Sequence, residues 1–311
     1  METGFNKKHL FAISAIGTLI VLLQLIYRVV FTDDIFVMCN IGQGDGIYLH
    51  IENTDIVIDA GRGSKISSCL GQHMSPFDKK IELAFITNSD SDHYDGFNSL
   101  LDHYKIEIVF IPQIADSEKE YFALIKRFIR QGSKIDYLNA GDNIKFGSRG
   151  EIQSIWPTKN FINMESDTCS DTKFKYLPNI KLICKGVNKF SQVFWLKYEK
   201  RVAILFTGDV TPEEINNYLL DKVKNYRREG KRIILKVPHH GSKNGLTQDL
   251  LDAVKPDLAV ISAGRNNRYN HPHKIITDML KNTHVKYYLT AKSGNIVINL
   301  NSLSVEPSSG Q

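Results

Sequence analysis

A short apolar run at residues 83–86 leads into the stretch Thr87-Asn88-Ser89-Asp90-Ser91-Asp92-His93, on which the interpretation of the whole chain depends. This stretch places two carboxylates and one imidazole, those of Asp90, Asp92 and His93, within four residues. Carboxylate oxygens and imidazole nitrogens are ligands for zinc, manganese and iron in proteins. An isolated Asp-x-Asp-His turn also occurs as a helix cap, so its meaning depends on what the rest of the chain supplies.

Three further segments carry metal-binding side chains shortly after an apolar run. They are Thr207-Gly208-Asp209 after residues 202–206, Pro238-His239-His240-Gly241-Ser242 after residues 233–237, and His271-Pro272-His273 after residues 258–262. Loops at strand ends let side chains that are distant in sequence converge on one point of a rigid sheet. We therefore predict a metal centre with six candidate ligands, which are Asp90, Asp92, His93, Asp209, His239 and His240.

The predicted centre would bind Zn2+ or Mn2+, as one or two ions, and would lower the pKa of a bound water. Asp90 and Asp92 are the candidate catalytic residues, because either could orient or deprotonate that water. In the His239-His240 pair one histidine would bind the metal and the other would orient a neighbour, and the sequence does not assign which. Asp45 and Asp59 lie beside glycine turns and are predicted to support the fold rather than the metal.

The remainder of the chain alternates short apolar runs with turns and amphipathic stretches. The predicted strands are residues 35–39, 46–51, 55–58, 83–86, 108–111, 192–196, 202–206, 233–237, 258–262, 286–289 and 295–299, and the predicted helices are residues 96–104, 117–130, 212–226 and 275–281. Residues 160–187 are polar and irregular, which predicts an insertion or surface loop. Pro212 suits a first helical turn, and Asp209 has a second interpretation as the N-cap of that helix. Two successive halves of this kind predict an α/β (α+β) protein with sheets between helical layers.

Six motifs of the chain match, in order, those of a known family. They are Asn40-Ile41-Gly42-Gln43-Gly44-Asp45-Gly46, Val57-Ile58-Asp59-Ala60-Gly61, Thr87-x-x-Asp90-x-Asp92-His93, Phe206-Thr207-Gly208-Asp209, Lys236-Val237-Pro238-His239-His240-Gly241-Ser242 and Ser262-x-Gly264-x-x-Asn267-Arg268-Tyr269-x-His271-Pro272. Over residues 35–300 the chain resembles the metallo-β-lactamase-like domain of the competence protein ComEC and its stand-alone relatives. The resemblance implies a metallo-β-lactamase-like αββα sandwich with a metal site at one edge between its sheets. It also implies a hydrolase that acts on phosphodiesters such as DNA.

The chain departs from that family in two respects. ComEC carries a multi-helix channel and an OB-like domain that this sequence lacks, so we do not expect the chain to form the DNA pore. The family usually has histidine at the position of Asn88, and an amide oxygen is a far poorer zinc ligand than imidazole. The first of two metal positions should therefore be weakened. Asp92, His93, Asp209 and one of the paired histidines could still hold a single ion.

Three residues of the sixth motif, Asn267, Arg268 and His271, are predicted to face the substrate, with Arg268 as a clamp for an anion. The alternative is a polar loop that stabilises its own turn. The leading hypothesis for function is a metal-dependent phosphodiesterase or nuclease. One alternative is a hydrolase of other esters or amides on the same fold. The other is a binding module that keeps the fold and has lost turnover because of Asn88.

The N-terminus predicts a membrane anchor. Residues 10–31 are a run of about 22 mostly apolar residues, which is enough to span a hydrocarbon core of about 30 Å as a helix. A cleaved signal peptide is the alternative, but no small-x-small site follows the run. Lys7 and Lys8 precede it, and the positive-inside rule then puts residues 1–9 in the cytoplasm and the catalytic domain outside. A tail follows at residues 301–311.

Composition limits the remaining possibilities. The chain has 311 residues, of which 42% are hydrophobic and 23% charged, and this excludes wholesale disorder. Its net charge of +5 is compatible with a polyanionic substrate without requiring one. The four cysteines form no CxxC pair, so buried free thiols are expected, with a Cys169–Cys184 disulfide as the alternative for an exported domain. Basic residues at 222–232 indicate a solvated helix end. The alternative is a surface patch that binds nucleic acid.

Overall fold

The unit from Asp34 to Gln311 is built on seventeen strands within the described part of the chain. The structure, a computed structural model, describes residues 11, 13–19, 33–116, 119–165, 180–183, 186–224, 226 and 230–307. The strands are β1 Ile35–Met38, β2 Gly46–Ile51, β3 Thr54–Ala60, β4 Lys80–Phe85, β5 Lys105–Ile111, β6 Ile114–Asp116, β7 Lys134–Tyr137, β8 Asn143–Phe146, β9 Gly150–Trp156, β10 Lys181–Ile183, β11 Val193–Tyr198, β12 Val202–Phe206, β13 Arg232–Lys236, β14 Leu258–Ile261, β15 Lys286–Leu289, β16 Ile296–Asn299 and β17 Val305–Pro307.

These strands form two large sheets and one small one. The first sheet has the order β17-β16-β1-β2-β3-β4-β5-β7, the second has the order β15-β14-β13-β12-β11-β9-β8, and β10 pairs with β6. Strands β3, β4, β5 and β7 are parallel, as are β12, β13, β14 and β15. The carboxyl ends of each parallel set therefore share one edge of their sheet. Strand β17 lies within the predicted tail and extends the first sheet instead.

Helices cover the outer faces of both sheets. They are Lys65–His73, Ser91–Tyr94, Phe97–Leu101, Lys119–Gln131, Lys159–Glu165, Pro212–Glu214, Leu220–Lys224, Gln248–Val254, Lys274–Asn282 and Thr290–Ser293, with 3-10 turns at Val187–Phe190 and Pro238–Gly241. The helix predicted at 96–104 is shorter than expected and follows a separate helical turn that contains Asp92 and His93.

Alternation along the strands creates three apolar layers. In β1, Phe36 and Met38 point between the two sheets, where they join Phe194 and Phe206, while Val37 points to the helices outside. This alternation follows from the two-residue period of a strand whose two faces are both buried. Helices close a core on the outer side of each sheet. The predicted mixed α/β sandwich with two sheets is confirmed.

The helix after Asp209 begins where the proline indicated. Thr211 is its N-cap and Pro212 occupies its first position, so Asp209 is not the cap and that interpretation is wrong. A π-helical segment, Ile215–Leu219, joins the two α-helical parts. The side chain of Asp209 is thereby available to the cluster described below.

Residues 160–187 are not simply a surface loop. Their described part contains most of the helix Lys159–Glu165 and the whole of strand β10. The ring of Phe161 packs against Trp156, with 4.3 Å between the centroids. Single apolar residues in a polar stretch have no periodicity, and for this reason the packing was not predicted.

The predicted anchor lies largely outside the described residues. Of residues 10–31 only 11 and 13–19 are described, as helix, and the apolar side chains among them are exposed. Within the part of the chain that is described, no helix has the length and apolarity needed to cross a bilayer.

A disulfide joins Cys39, directly after β1, to Cys69 in the helix Lys65–His73. The two Cα atoms are 5.9 Å apart and both residues are buried. The expectation of free thiols is therefore wrong for this pair. The alternative pair, Cys169 and Cys184, lies outside the described residues.

Candidate metal centre

Loops at the carboxyl ends of parallel strands in both sheets meet at one edge of the sandwich. Strands β3 and β4 supply Asp59 and the turn that contains Asp92 and His93, whereas β12 and β13 supply Asp209 and His240. Ligand atoms from Asp45, His93, Asp209 and His240 all lie within 4.8 Å of one another, and all four residues are buried. The convergence expected from the sequence segments is thus seen in the structure.

Two imidazole nitrogens face the carboxylate of Asp209. The Nε2 atom of His93 is 3.2 Å from Asp209 Oδ2, and the Nε2 atom of His240 is 3.5 Å from the same oxygen. Among the described residues neither Nε2 has a hydrogen-bond partner, and Asp209 Oδ1 has none either. Orphaned buried polar atoms are costly, so three of them on side chains in mutual contact fit a bound cation.

Asp92 completes this group from the solvent side. Its Oδ2 atom is 3.6 Å from His240 Nε2, and its side chain retains 18% exposure. Burial alone would raise the pKa of Asp92, but the close contact with His240 and the charges of His93 and His240 hold it well below its usual value. The carboxylate is therefore ionised at neutral pH and able to serve as a ligand.

Two further carboxylates orient the histidines from behind. Asp59 Oδ2 lies 2.9 Å from His93 Nδ1, and the same carboxylate accepts hydrogen bonds from the amide and the hydroxyl of Thr87. Asp45 Oδ1 lies 3.2 Å from His240 Nδ1. A carboxylate on Nδ1 makes the opposite nitrogen the ligand and raises its basicity. Both aspartates were predicted to support the fold rather than the metal, but the structure places them against the two histidines of the cluster.

Asp45 is held by a buried ammonium group. Lys236 Nζ contacts Asp45 Oδ2 and donates to the carbonyl of Gly208 at 2.9 Å. Because this carboxylate is already shared between Lys236 and His240, we treat Asp45 as an orienting group and Asp92 as the ligand. Gly44 permits the arrangement, since a Cβ atom there would come within 2.2 Å of the carbonyl oxygen of Asp92.

His239 and His240 occupy different positions in the same turn. His240 is buried, whereas the side chain of His239 is 22% exposed and its Nε2 is 3.7 Å from Asp209 Oδ2. Both have left-handed backbone conformations, with φ of 50° and 54°. Such conformations are unfavourable for non-glycine residues and occur preferentially at functional sites. The geometry favours His240 as the ligand and places His239 at the wall of the cavity.

The carboxylates of this centre favour nearby positive charge. Burial would lower the pKa of His93 and His240, but the carboxylates of Asp209, Asp59 and Asp45 raise both values well above normal. Burial would likewise raise the pKa of Asp209, and the neighbouring imidazoles hold it well below normal. A divalent cation could replace the two imidazolium protons at similar net charge. The donor set of two imidazoles and two carboxylates therefore fits zinc or manganese.

A cavity of about 230 Å³ opens above the cluster. Its wall includes Asp90, Asp92, Asp209 and both paired histidines, together with Gln43, Arg62, Ser91, Tyr269 and His271. Burial and the charges of His240 and His239 lower the pKa of His271 to about 4, so its imidazole is neutral at pH 7.

The other two predicted substrate residues are placed differently. Asn267 directs its amide to its own loop, where Nδ2 donates to the carbonyls of Gly264 and His271 and Oδ1 accepts from the amide of His271. Arg268 donates to the Tyr269 hydroxyl and lies over its ring, and it is not among the residues that line this cavity. The contacts of Asn267 and Arg268 therefore fit the alternative interpretation, in which the polar loop stabilises its own turn.

Arg62 is a cation that the sequence reasoning did not single out. It follows Gly61 and, among the described residues, its guanidinium makes no ion pair or hydrogen bond. The turn around it is held on both sides, because the amide of Gly96 donates to Gly61 O at 2.7 Å and the amide of Gly63 donates to Asp95 Oδ2 at 2.9 Å. Arg62 thus projects from a fixed turn at the wall of the cavity.

The side chain of Asn88 is hydrogen-bonded to another asparagine. Its Nδ2 donates to Asn188 Oδ1 at 2.7 Å, and its Oδ1 accepts from the amide of Asp90 at 3.2 Å. Asn88 is buried. Both polar atoms of its side chain are therefore occupied by protein partners and not directed to a metal.

Known structures share this arrangement of sheets and helices. The metallo-β-lactamase fold protein YhfI from Bacillus subtilis superposes with a TM-score of 0.53 over 85% of this chain and 99% of that protein, at 10% identity. The diiron β-hydroxylase CmlA from Streptomyces venezuelae gives a TM-score of 0.55 over 87% of this chain and 55% of that protein, also at 10% identity. The chain has the metallo-β-lactamase fold.

Two proteins of known sequence are similar to this chain over most of its length. ComE operon protein 3 of Bacillus subtilis (strain 168) is 26% identical over 277 residues, which cover 83% of this chain and 32% of that protein. Recombination protein 2 of Haemophilus influenzae is 24% identical over 265 residues, covering 84% of this chain and 28% of that protein. Both belong to the ComEC family, so the predicted resemblance is confirmed. The chain spans about a third of the length of these relatives. No family model matches it.

Proposed function

We propose that this protein is a metal-dependent phosphodiesterase that acts on DNA or another phosphodiester. The observation that carries the proposal is the set of orphaned ligand atoms on His93, His240 and Asp209, which converge below an open cavity. The confirmed resemblance to ComEC proteins and the metallo-β-lactamase fold support a hydrolase. The choice of a phosphodiester rests on the free cation at Arg62, because a phosphodiester is an anion in each reaction state.

The site is proposed to hold one Zn2+ or Mn2+ ion through Asp92, His93, Asp209 and His240. When bound, such an ion lowers the pKa of a coordinated water and polarises a phosphoryl oxygen. Asp90 lies on the wall of the cavity, where its carboxylate could accept a proton from the attacking water. The pairing of Asn88 with Asn188 supports one ion rather than two.

The chain's own residues would then hold the substrate. Arg62 would bind a non-bridging phosphate oxygen, and neutral His271 would donate a hydrogen bond from its imidazole. Gln43 Nε2 lies 3.4 Å from His271 Nδ1, which is consistent with the tautomer that has its proton on Nε2.

Membrane attachment and an extracytoplasmic catalytic domain are part of the same proposal. The support is the apolar run at residues 10–31 with Lys7 and Lys8 before it. The Cys39–Cys69 disulfide supports export as well, because disulfides persist mainly in oxidising compartments.

Two other functions remain as alternatives on the same fold, a hydrolase of other esters or amides and a binding module without turnover. The engaged amide of Asn88 favours the second of these over the first. Both differ from the leading proposal in what the purified chain would do with a phosphodiester.

The test uses the full chain purified in detergent, with metal analysis and hydrolysis of bis-p-nitrophenyl phosphate and of DNA. We expect retained zinc or manganese and hydrolysis of both substrates. Asp209→Ala should abolish the activity, whereas Asp249→Ala, which removes an exposed carboxylate from the helix Gln248–Val254, should not. A wild-type chain that binds no metal and leaves both substrates intact would overturn the proposal.

A further inference from the structure

A second cavity adjoins the one above the metal centre. It has a volume of about 470 Å³ and shares His271 with the first cavity. Its wall also contains Arg265, Lys292 and the asparagines of the loop at 266–270. A chain-like molecule that passes from the metal centre over His271 would therefore enter this second cavity.

The wall of the second cavity suits an anion. Within the described residues it is lined by two cations and no carboxylate. Arg265 uses its Nε to donate to the carbonyl of Ala291 at 2.6 Å, which leaves its two terminal amino groups available. Lys292 is exposed and makes no ion pair with any described residue. Two unpaired cations beside several amides are typical of contacts to a phosphate backbone.

The loop that forms this wall is organised before any ligand binds. Asn267 is hydrogen-bonded to the backbone of Gly264 and His271, so it spans the loop from one end to the other. Asn266 and Asn270 have φ of 50° and 56°, conformations that asparagine tolerates better than most residues. A fixed loop loses little conformational entropy when it binds a ligand.

We propose that the second cavity, here called the backbone groove, binds the sugar–phosphate backbone of a single nucleic-acid strand next to the scissile bond. This inference rests on the proposed phosphodiesterase function and adds that the substrate is a polymer. A single strand is favoured because His93, His240 and Asp209 are buried, so the scissile phosphate must enter a recess. A flexible strand can do so, whereas a duplex would have to be deformed.

The test compares two substrates of different length. In Arg265→Ala/Lys292→Ala, the kcat/KM for a single-stranded oligonucleotide should fall on the order of tenfold or more. Hydrolysis of bis-p-nitrophenyl phosphate should be unchanged, because that diester is too small to reach the groove. The matched control is Lys126→Ala/Arg130→Ala. It removes one lysine and one arginine from the helix Lys119–Gln131, which packs on the first sheet, whereas Arg265 follows β14 of the second sheet. Equal losses for both substrates, or an equal effect of the control, would overturn the inference.

A binding measurement separates this inference from the proposed function. Fluorescence anisotropy with a labelled single-stranded oligonucleotide should show that the double variant reduces the salt dependence of affinity by about 1.4 in the log–log slope, at about 0.7 per phosphate contact. Lys292→Glu, which changes an exposed side chain only, should weaken binding in the same direction. If the wild-type chain hydrolyses nothing, the function fails and this experiment still decides the groove. Unchanged affinity in the variants, or equally tight binding of a duplex, would contradict it.

Discussion

The amide of Asn88 donates a hydrogen bond of 2.7 Å to the side-chain oxygen of Asn188, a residue one hundred positions further along the chain. Asn88 belongs to the loop after β4, and Asn188 belongs to the 3-10 turn before β11. The pair therefore links the loops of the two sheets beside the metal centre. It engages the side chain of Asn88, the residue at which the motif resemblance implied a weakened first metal position.

This pairing predicts the metal content of histidine variants. Asn88→His alone should give little increase in bound metal, because Asn188 would offer an amide instead of an imidazole. Asn88→His/Asn188→His should raise the content from about one towards about two ions per chain, since each added imidazole is a far better ligand. The measurement is metal per chain after dialysis against zinc. If the single variant already binds as much as the double one, Asn188 is not part of this position.

Asp59→Asn should weaken metal binding by about 10–100-fold, because it removes the carboxylate that orients His93. Asparagine tolerates the left-handed backbone at this position, where φ is 54°, so the fold should persist. Competitive titration with a zinc chelator measures the affinity. Asp55→Asn is a matched control on the same strand, a buried aspartate that contacts Tyr48 and His50 and not the metal centre. Equal affinities for the two variants would argue against the orienting role.

Arg62→Ala should raise the KM for bis-p-nitrophenyl phosphate about tenfold, which corresponds to about 1.4 kcal/mol. The physical reason is the loss of the unpaired cation at the cavity wall. Arg268→Ala removes an arginine that is already engaged with Tyr269 and should change KM much less. Steady-state kinetics of both variants provide the comparison, and a larger effect of Arg268→Ala would reverse the assignment.

Removal of the metal should lower thermal stability. An ion that binds only the folded chain stabilises it by about 2.7 kcal/mol at a free concentration of about 100 Kd. Calorimetry with and without a chelator should therefore show a lower Tm without metal. In Asp209→Ala the chelator should have almost no effect on Tm, because the site is already lost. A chelator effect of the same size in that variant would place the stabilising ion elsewhere.

Reduction of the disulfide should destabilise the unit by about 3–4 kcal/mol, on the scale expected for a closed loop of this length. Cys39 and Cys69 are 30 positions apart. Urea unfolding with and without a reductant measures the change in the free energy of unfolding. The variant Cys39→Ser/Cys69→Ser should be less stable and insensitive to the reductant. If it still responds, other cysteines account for the effect.

The sequence predicted the fold well because the signal was periodic and local. Short apolar runs predicted most of the strands, and the Asp-x-Asp-His turn together with the segments that contain Asp209 and His240 predicted which loops converge. Strands β7, β8 and β9 were not predicted: β7 and β8 alternate polar and apolar residues over only four positions, and in β9 the adjacent polar residues Gln153 and Ser154 interrupt the alternation.

What could not be predicted depends on contacts between distant residues. Cys39 and Cys69 carry no spacing that marks a pair, and the preference for His240 over His239 follows from burial that only the folded turn defines. Lys236 sits in a strand-like run, where nothing local indicates that its ammonium group reaches Asp45. Arg62 is one of many exposed cations until the turn that carries it is seen at the cavity wall.

The division of the centre between the two sheets has a consequence for how the chain could be engineered. Asp92 and His93 come from the first half of the chain and Asp209 and His240 from the second, and among the described residues neither pair alone completes the donor set. A bound ion would therefore hold the two halves together through ligands from both. Two separately expressed halves, which also share the pairing of β1 with β16, should therefore associate more tightly when metal is added.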